Sequence, residues 1–141
     1  MKNMREAKHT ILWADDDADD LQLMHEALDK SDHDFNIAEA NNGLEALALL
    51  KRMNEENNLP CLIILDMNMP IMCGRKTLAA IKKEKDYRDI PVIIFTTSAS
   101  ELDRLFCKQF DVDMVTKPTS FESFKTVVNR LVSTCNQQAH Q

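Results

Sequence analysis

The chain has 141 residues, 44% of them apolar, which suits one soluble domain with an ordinary core. Its formal net charge of −6 opposes a nucleic-acid footprint, and the main basic cluster, Lys82-Lys83-Glu84-Lys85, reads as a solvated helix face. No apolar run approaches the ~18 residues a membrane span needs, and with Gly43 and Gly74 as the only glycines there is no GxGxxG dinucleotide loop and no GxxxxGK(S/T) phosphate loop.

Residues 1–8 are expected to form a flexible N-terminus, with no signal-peptide core behind them. Thr10 to Ala14 predicts a first short strand, which runs into Asp15, Asp16 and Asp17, then Asp19 and Asp20. Leu21, Met24 and Leu28 recur at helical spacing, and the acids crowd the end of that helix where its dipole favours them. Phe35 to Ala40 alternates as a half-buried strand would. Asn42 with Glu45 three residues on predicts the start of a second helix, with Leu44, Leu47 and Ala48 on one face.

The central stretch is Cys61 to Gly74, CLIILDMNMPIMCG. Cys61 to Leu65 is a short continuous apolar run, the signature of a strand buried on both faces. It stops at Asp66, and Asn68 and Pro70 then require a turn. Gly74 opens a third helix with Leu78 and Ile81 on one side. Val92 to Phe95 predicts a fourth strand ending in Thr96, Thr97 and Ser98, and Ser100 with Asp103 predicts a helix cap. Val112 to Thr116 is a last strand, ending at Lys117-Pro118. Thr119 with Glu122 suggests another cap, Phe121, Phe124, Val127, Val128 and Leu131 mark an amphipathic helix, and residues 134–141 read as a polar tail.

Cys61, Cys73, Cys107 and Cys135 form no CxxC pair and no ligand spacing, so reduced thiols in a cytoplasmic protein are expected. Strand and helix alternate five times, which predicts a parallel sheet with helices on both faces. The expected architecture is an α/β, flavodoxin-like, doubly wound five-stranded parallel sheet of order 2-1-3-4-5 with five helices.

In such sheets ligands bind at the carboxyl ends of the strands. The ends here deliver Asp15 and Asp16, then Asp66, then Thr96, then Lys117. Taken singly, each is more often a cap, a turn or a surface residue. Together, at four strand ends, they suit one chemistry. Two like charges 4 Å apart cost about 4 kcal/mol at an effective dielectric of about 20, and a hard divalent cation such as Mg2+ relieves this while bridging carboxylates to phosphate. Lys117 adds a point positive charge and Thr96 a hydroxyl donor, so a phosphoryl group on Asp66 would be held on all sides. A calcium-loop reading of Asp15, Asp17, Asp19 and Glu26 fails where Asp20 replaces the required glycine.

With these residues in place, the chain resembles the receiver domains of two-component response regulators, of the chemotaxis-receiver type. The resemblance covers about residues 9–133 and is carried by ILWADDD, ILDMNMP, VIIFTTS and TKP. TTS and KPTSFESF are similar to single-domain receivers associated with phytochrome kinases. The resemblance implies Asp66 as phosphoacceptor, and Mg2+ held by Asp16, Asp66 and the backbone carbonyl of Asn68, with Asp15 reaching it through water. It implies Thr96, Lys117 and backbone N–H groups near Asn68 and Thr97 on the phosphoryl oxygens, and Asn68 and Ser98 as positions that tune the lifetime of the phosphoryl group. Met114 stands where the family often has a switch aromatic, and the Lys117–Pro118 bond is expected to be cis. The implied partners are a sensor histidine kinase or histidine phosphotransfer protein and an unidentified downstream protein, with signalling and homodimers through the fourth helix, last strand and fifth helix, and no nucleic acid or membrane. A signalling phosphoacceptor rather than an enzyme is expected. An aspartyl-nucleophile phosphatase would need an acid where Asn68 stands. A degenerate receiver that only binds partners is the alternative, but such domains lack one of the key groups and none is missing here.

Overall fold

The computed structural model describes residues 9–29, 35–97 and 100–139. The expectations of a flexible stretch at residues 1–8 and of a tuning role for Ser98 fall outside these residues. Five strands alternate with five helices: β1 (His9–Ala14), α1 (Ala18–Asp29), β2 (Phe35–Ala40), α2 (Gly43–Glu55), β3 (Leu62–Leu65), α3 (Gly74–Lys83), β4 (Val92–Thr96), α4 (Glu101–Gln109), β5 (Asp113–Thr116) and α5 (Phe121–Ala139). All strand pairs are parallel, in the order β2-β1-β3-β4-β5. This is the flavodoxin-like arrangement expected from the alternation.

The three inner strands are buried along their length, apart from His9 at the start of β1, because α/β winding covers both faces. One face packs Leu12, Ile63, Leu65 and Ile94 against Leu50, Leu78, Ile81 and Cys107 from α2, α3 and α4. The other packs Ile11, Trp13, Ile64 and Phe95 against Met24 of α1 and Phe124, Val128 and Val132 of α5. Phe95 meets Trp13 edge-on at 6.1 Å and Phe124 at 5.4 Å between ring centroids, within the range that favours aromatic pairs. Alternate residues of one strand thus serve opposite layers.

The helix starts follow the expected chemistry at two places. The Asn42 side chain accepts from the Glu45 N–H at 2.9 Å while the Glu45 carboxylate accepts from the Asn41 N–H at 2.8 Å. Ser100 Oγ accepts from the Asp103 N–H at 3.1 Å. At α5 the expectation is corrected. Ser120, not Thr119, caps the helix, accepting from the Ser123 N–H at 3.1 Å, because the first helical residue is Phe121. The same helix continues past residue 134 to Ala139.

Two further expectations are corrected. No peptide bond among the described residues is cis, so Lys117–Pro118 takes the trans form that even prolyl bonds favour by about 0.5–1 kcal/mol. Cys61 and Cys135 are paired in a disulfide, with Cα atoms 5.5 Å apart, rather than reduced. Packing of α5 beside the start of β3 sets this approach across 74 residues of chain, and no local pattern announces it. Cys73 and Cys107 are free thiols.

Gly74 is required by a close approach. A Cβ there would lie 2.2 Å from the Asp66 carbonyl oxygen and 2.7 Å from Met67 Cα, both backbone atoms that cannot swing away. Gly74→Ala is therefore expected to destabilise the fold by about 1–3 kcal/mol, read as a lowered urea midpoint. An unchanged midpoint would mean that the start of α3 can shift freely against β3.

Candidate phosphoryl-acceptor site

The carboxyl ends of β1, β3 and β4 lie side by side because the strands run parallel in register, Ala14 beside Leu65 and Leu65 beside Ile94. Each chain segment leaving the sheet there carries its polar group to the same rim. Asp15 and Asp66 follow β1 and β3 directly, Thr96 ends β4, and Lys117 follows β5. All four are buried: relative exposure is 1% for Asp15, 7% for Asp66, 0% for Thr96 and 5% for Lys117.

Asp66 is held from three directions. Thr96 Oγ1 donates to its Oδ1 at 2.7 Å, the Asn68 N–H donates to the same oxygen at 3.2 Å, and Lys117 Nζ donates to Oδ2 at 2.8 Å. The Lys117 backbone N–H donates to the Thr96 carbonyl at 2.8 Å, which ties the root of the lysine to the end of β4. Lys117 Nζ also sits 5.9 Å from the centre of the Phe95 ring, whose face favours a cation. The loop between Asp66 and α3 turns through Ile71, a β-branched residue at φ 68°, and is pinned by the Gly43 N–H donating to the Met72 carbonyl at 3.1 Å.

Asp15, Asp16 and Asp66 each place a carboxylate oxygen within 4.8 Å of the others. Ligands at about 2.1 Å from a small octahedral cation lie about 3–4 Å apart, so the three oxygens need only a slight contraction to share one. The donor set is all oxygen, as a hard divalent cation requires. Asp16 is exposed, which leaves room for waters on its side. These residues fit the ion, and they are the acids that the sequence singled out.

Lys117 has a third partner that the sequence did not single out. Its ammonium donates to Asp15 Oδ2 at 2.7 Å and also to Asp20 Oδ2 at 2.7 Å, from the first turn of α1. In the sequence Asp20 is one of several acids at a helix start and the residue that breaks a calcium-loop pattern, with no role assigned at the pocket. Its spacing, one turn beyond Asp16, was the available signal. Of the remaining expected residues, Asn68 and Thr97 are exposed at the rim. Met114 is not brought to Asp66. It pairs with Ile94 across β4 and β5 and lines a cavity of about 240 Å³ with Arg104, Cys107 and Lys108 of α4.

The excess of acid has an electrostatic consequence. Burial pushes the Asp15 carboxyl from 3.8 up to about 6, and the Asp66 charge adds to the push, although hydrogen bonds from Lys117 and the Asp17 N–H pull the other way. Burial alone would lower Lys117, but its bonds to Asp15, Asp20 and Asp66 outweigh this and hold it above its ordinary value, charged throughout the neutral range. A carboxyl raised on folding binds its proton more tightly in the folded state, so stability falls as pH rises between the unfolded value near 4 and about 6. In chelator, the chain is expected to gain up to about 3 kcal/mol on acidification from pH 7 toward pH 4 from this group. Asp15→Asn should remove that slope in urea unfolding, and an unchanged slope would refute the assignment.

A doubly wound parallel sheet of order β2-β1-β3-β4-β5, with a carboxylate, a hydroxyl and an ammonium converging beside an acid cluster at its carboxyl edge, is the architecture of a receiver-type domain. The chain belongs to the response regulator family: residues 11–129 match the family described as the response regulator receiver domain. It is similar to the response regulator Rcp1 of Synechocystis, 40% identical over 95 residues, which cover 66% of this chain and 65% of that protein. The probable transcriptional regulator ycf29 of Pyropia yezoensis is 36% identical over 105 residues, 72% of this chain and 44% of its own length. The matched regions thus span less than two thirds of these relatives. Among solved structures, the phosphorylated cyanobacterial phytochrome response regulator RcpA superposes with a TM-score of 0.82 at 31% identity, covering 90% of this chain and 93% of that one. The Mn2+-bound form of Rcp1 gives 0.80 at 34% identity, covering 89% and 92%. Among the described residues no helix is long and apolar enough to cross a membrane.

Proposed function

We propose that the chain is a response regulator that accepts a phosphoryl group on Asp66 from the phosphohistidine of a sensor histidine kinase or histidine phosphotransfer protein, in a Mg2+-dependent reaction. The observation that carries this reading is the convergence of Thr96 Oγ1 and Lys117 Nζ on the two oxygens of Asp66, beside the Asp15 and Asp16 carboxylates. Asp15, Asp16, Asp66 and the Asn68 backbone are the residues that would hold the cation. When bound, the cation would neutralise charge that develops on the transferring group.

The chain's own groups account for the rest. An Asp66 oxygen attacks phosphorus, a new O–P bond forms as the donor's P–N bond breaks, and the imidazole leaves with the electron pair. Lys117 then donates to a phosphoryl oxygen in place of Asp66 Oδ2, and the Thr96 hydroxyl turns from Asp66 Oδ1 to another phosphoryl oxygen. Water later hydrolyses the acyl phosphate. Asn68 and Ser98 are the positions that set the lifetime of the phosphoryl group, and Thr97 narrows access at the rim.

Movement of Thr96 biases β4 and α4 between two arrangements. Met114, lining the cleft between β5 and α4, adjusts to both, since its unbranched thioether repacks readily. The output surface is α4, β5 and α5, where Leu102, Leu105 and Phe121 are exposed, and a downstream protein or a second copy would bind there. The reading places the protein in the cytoplasm, with the kinase that supplies the phosphoryl group.

Incubation with acetyl phosphate and Mg2+ is expected to add one phosphoryl mass to the intact protein, lost on chelation. No gain with acetyl phosphate or with a phosphorylated histidine phosphotransfer protein would favour the binding-only alternative.

A further inference from the structure

We propose that Asp20 is a positioning residue for Lys117: its carboxylate keeps the ammonium aimed at the phosphoryl pocket, and its charge balanced, when Asp15 and Asp66 turn their oxygens to a cation. This rests on the reading of Asp66 as phosphoacceptor.

An ammonium has three N–H donors. In Lys117 all three are taken, by Asp15 at 2.7 Å, Asp20 at 2.7 Å and Asp66 at 2.8 Å. Two of these partners have a second task. Asp15 and Asp66 belong to the set whose oxygens lie within 4.8 Å of one another, and Asp20 does not. Filling the cation site therefore draws charge away from two of the lysine's three partners. Phosphorylation then takes away the carboxylate charge of Asp66, because its oxygen becomes part of an acyl phosphate and the phosphoryl oxygens take over as acceptors. Asp20 is the partner whose bond to Lys117 neither event consumes.

The placement of Asp20 suits this. Asp20 Oδ2 meets the ammonium from the first turn of α1, whereas Thr96, at the end of β4, bonds Asp66 and not Lys117 through its hydroxyl. Its side chain is 19% exposed against 3% for that of Lys117, so it stands at the outer edge of a buried cation. Its backbone N–H donates to Asp17 Oδ1 at 3.2 Å, as does that of Asp19 at 3.0 Å, which locks the first turn of α1 and with it the Asp20 Cα. Without Asp20, a buried ammonium and a divalent cation would face each other across Asp15 and Asp66 with one fewer negative charge between them.

The test is Mn2+ binding followed by electron paramagnetic resonance of free Mn2+, in the wild type, Asp20→Asn and Asp19→Asn. Asp20→Asn is expected to weaken Mn2+ by about threefold to tenfold, because the Lys117 charge that Asp20 no longer offsets then opposes the cation a few ångströms away. Asp19→Asn, an exposed neighbour with no bond to Lys117, should stay within about twofold. In a Lys117→Ala background the Asp20→Asn deficit should shrink to less than about twofold, because Asp20 acts through the lysine. No deficit in the wild-type background, or an undiminished one without the lysine, overturns the proposal. Should Lys117→Ala not fold, the 1H–15N signal of the Lys117 ammonium decides: it should be observable in the Mg2+-loaded wild type and lost to exchange in Asp20→Asn, and its persistence there overturns the proposal. None of these readouts depends on phosphorylation. A wild type that binds Mn2+ but gains no phosphoryl mass would instead refute the phosphoacceptor reading.

Discussion

Asp66→Asn is expected to abolish the phosphoryl mass gain completely under acetyl phosphate and Mg2+. The substitution preserves volume, so the Thr96 hydroxyl and the Asn68 N–H keep an acceptor where Oδ1 now stands. What is lost is the nucleophile. An amide oxygen carries no formal charge to attack phosphorus, and the amide nitrogen turns two hydrogens toward Lys117 Nζ, which itself has only donors to offer. The fold should survive, since the change removes one negative charge from a rim where Asp15 and Asp20 still hold the ammonium and Asp16 adds a further carboxylate beside Asp15. The measurement is intact-protein mass with circular dichroism as the control for folding. A full mass gain in the folded variant would move the phosphoacceptor to Asp15 or Asp16 and sink the assignment.

The second large effect is expected from Lys117→Ala. The ammonium is the partner of three carboxylates, two of them, Asp15 and Asp66, almost wholly buried. Truncating it leaves those charges facing one another in a poorly solvated pocket, and breaking a buried ion pair from one side costs about 3–5 kcal/mol. Part of this is relieved when Asp15, already raised toward neutrality by burial, takes up a proton. A loss of about 3 kcal/mol in chelator at pH 7 is therefore expected by urea unfolding. Mg2+ should then stabilise the variant more than the wild type, because the cation supplies the charge that the lysine no longer does. Equal stabilisation of both proteins by Mg2+ would show that lysine and cation do not share their carboxylates.

Much of this site was legible along the chain, for a local reason. A strand buried on both faces declares itself by an unbroken apolar run, as in Leu62 to Leu65, and its end by the first charge, Asp66. Winding with one hand then sends every such end to the same rim, so the order of the chain already groups Asp15, Asp66, Thr96 and Lys117. The caps at Asn42 and Ser100 were equally local, each a side chain bonding an N–H three residues on. The cap at α5 was missed by one residue because Thr119 and Ser120 both offer a hydroxyl, and only the first helical turn chooses between them.

What the amino-acid order determined by itself was the element sequence, the strand order and the residues delivered to the sheet's carboxyl edge, because hydrophobic period and crossover handedness are short-range rules. Tertiary structure alone decided that Asp20 completes the shell of Lys117, 97 residues away, that Cys61 and Cys135 meet, and that Met114 faces α4 rather than Asp66. These outcomes depend on how α1 and α5 roll against the sheet and each other, a packing solution shared by the whole core. A difference of a few ångströms there moves a carboxylate into or out of hydrogen-bond reach without changing a single local preference.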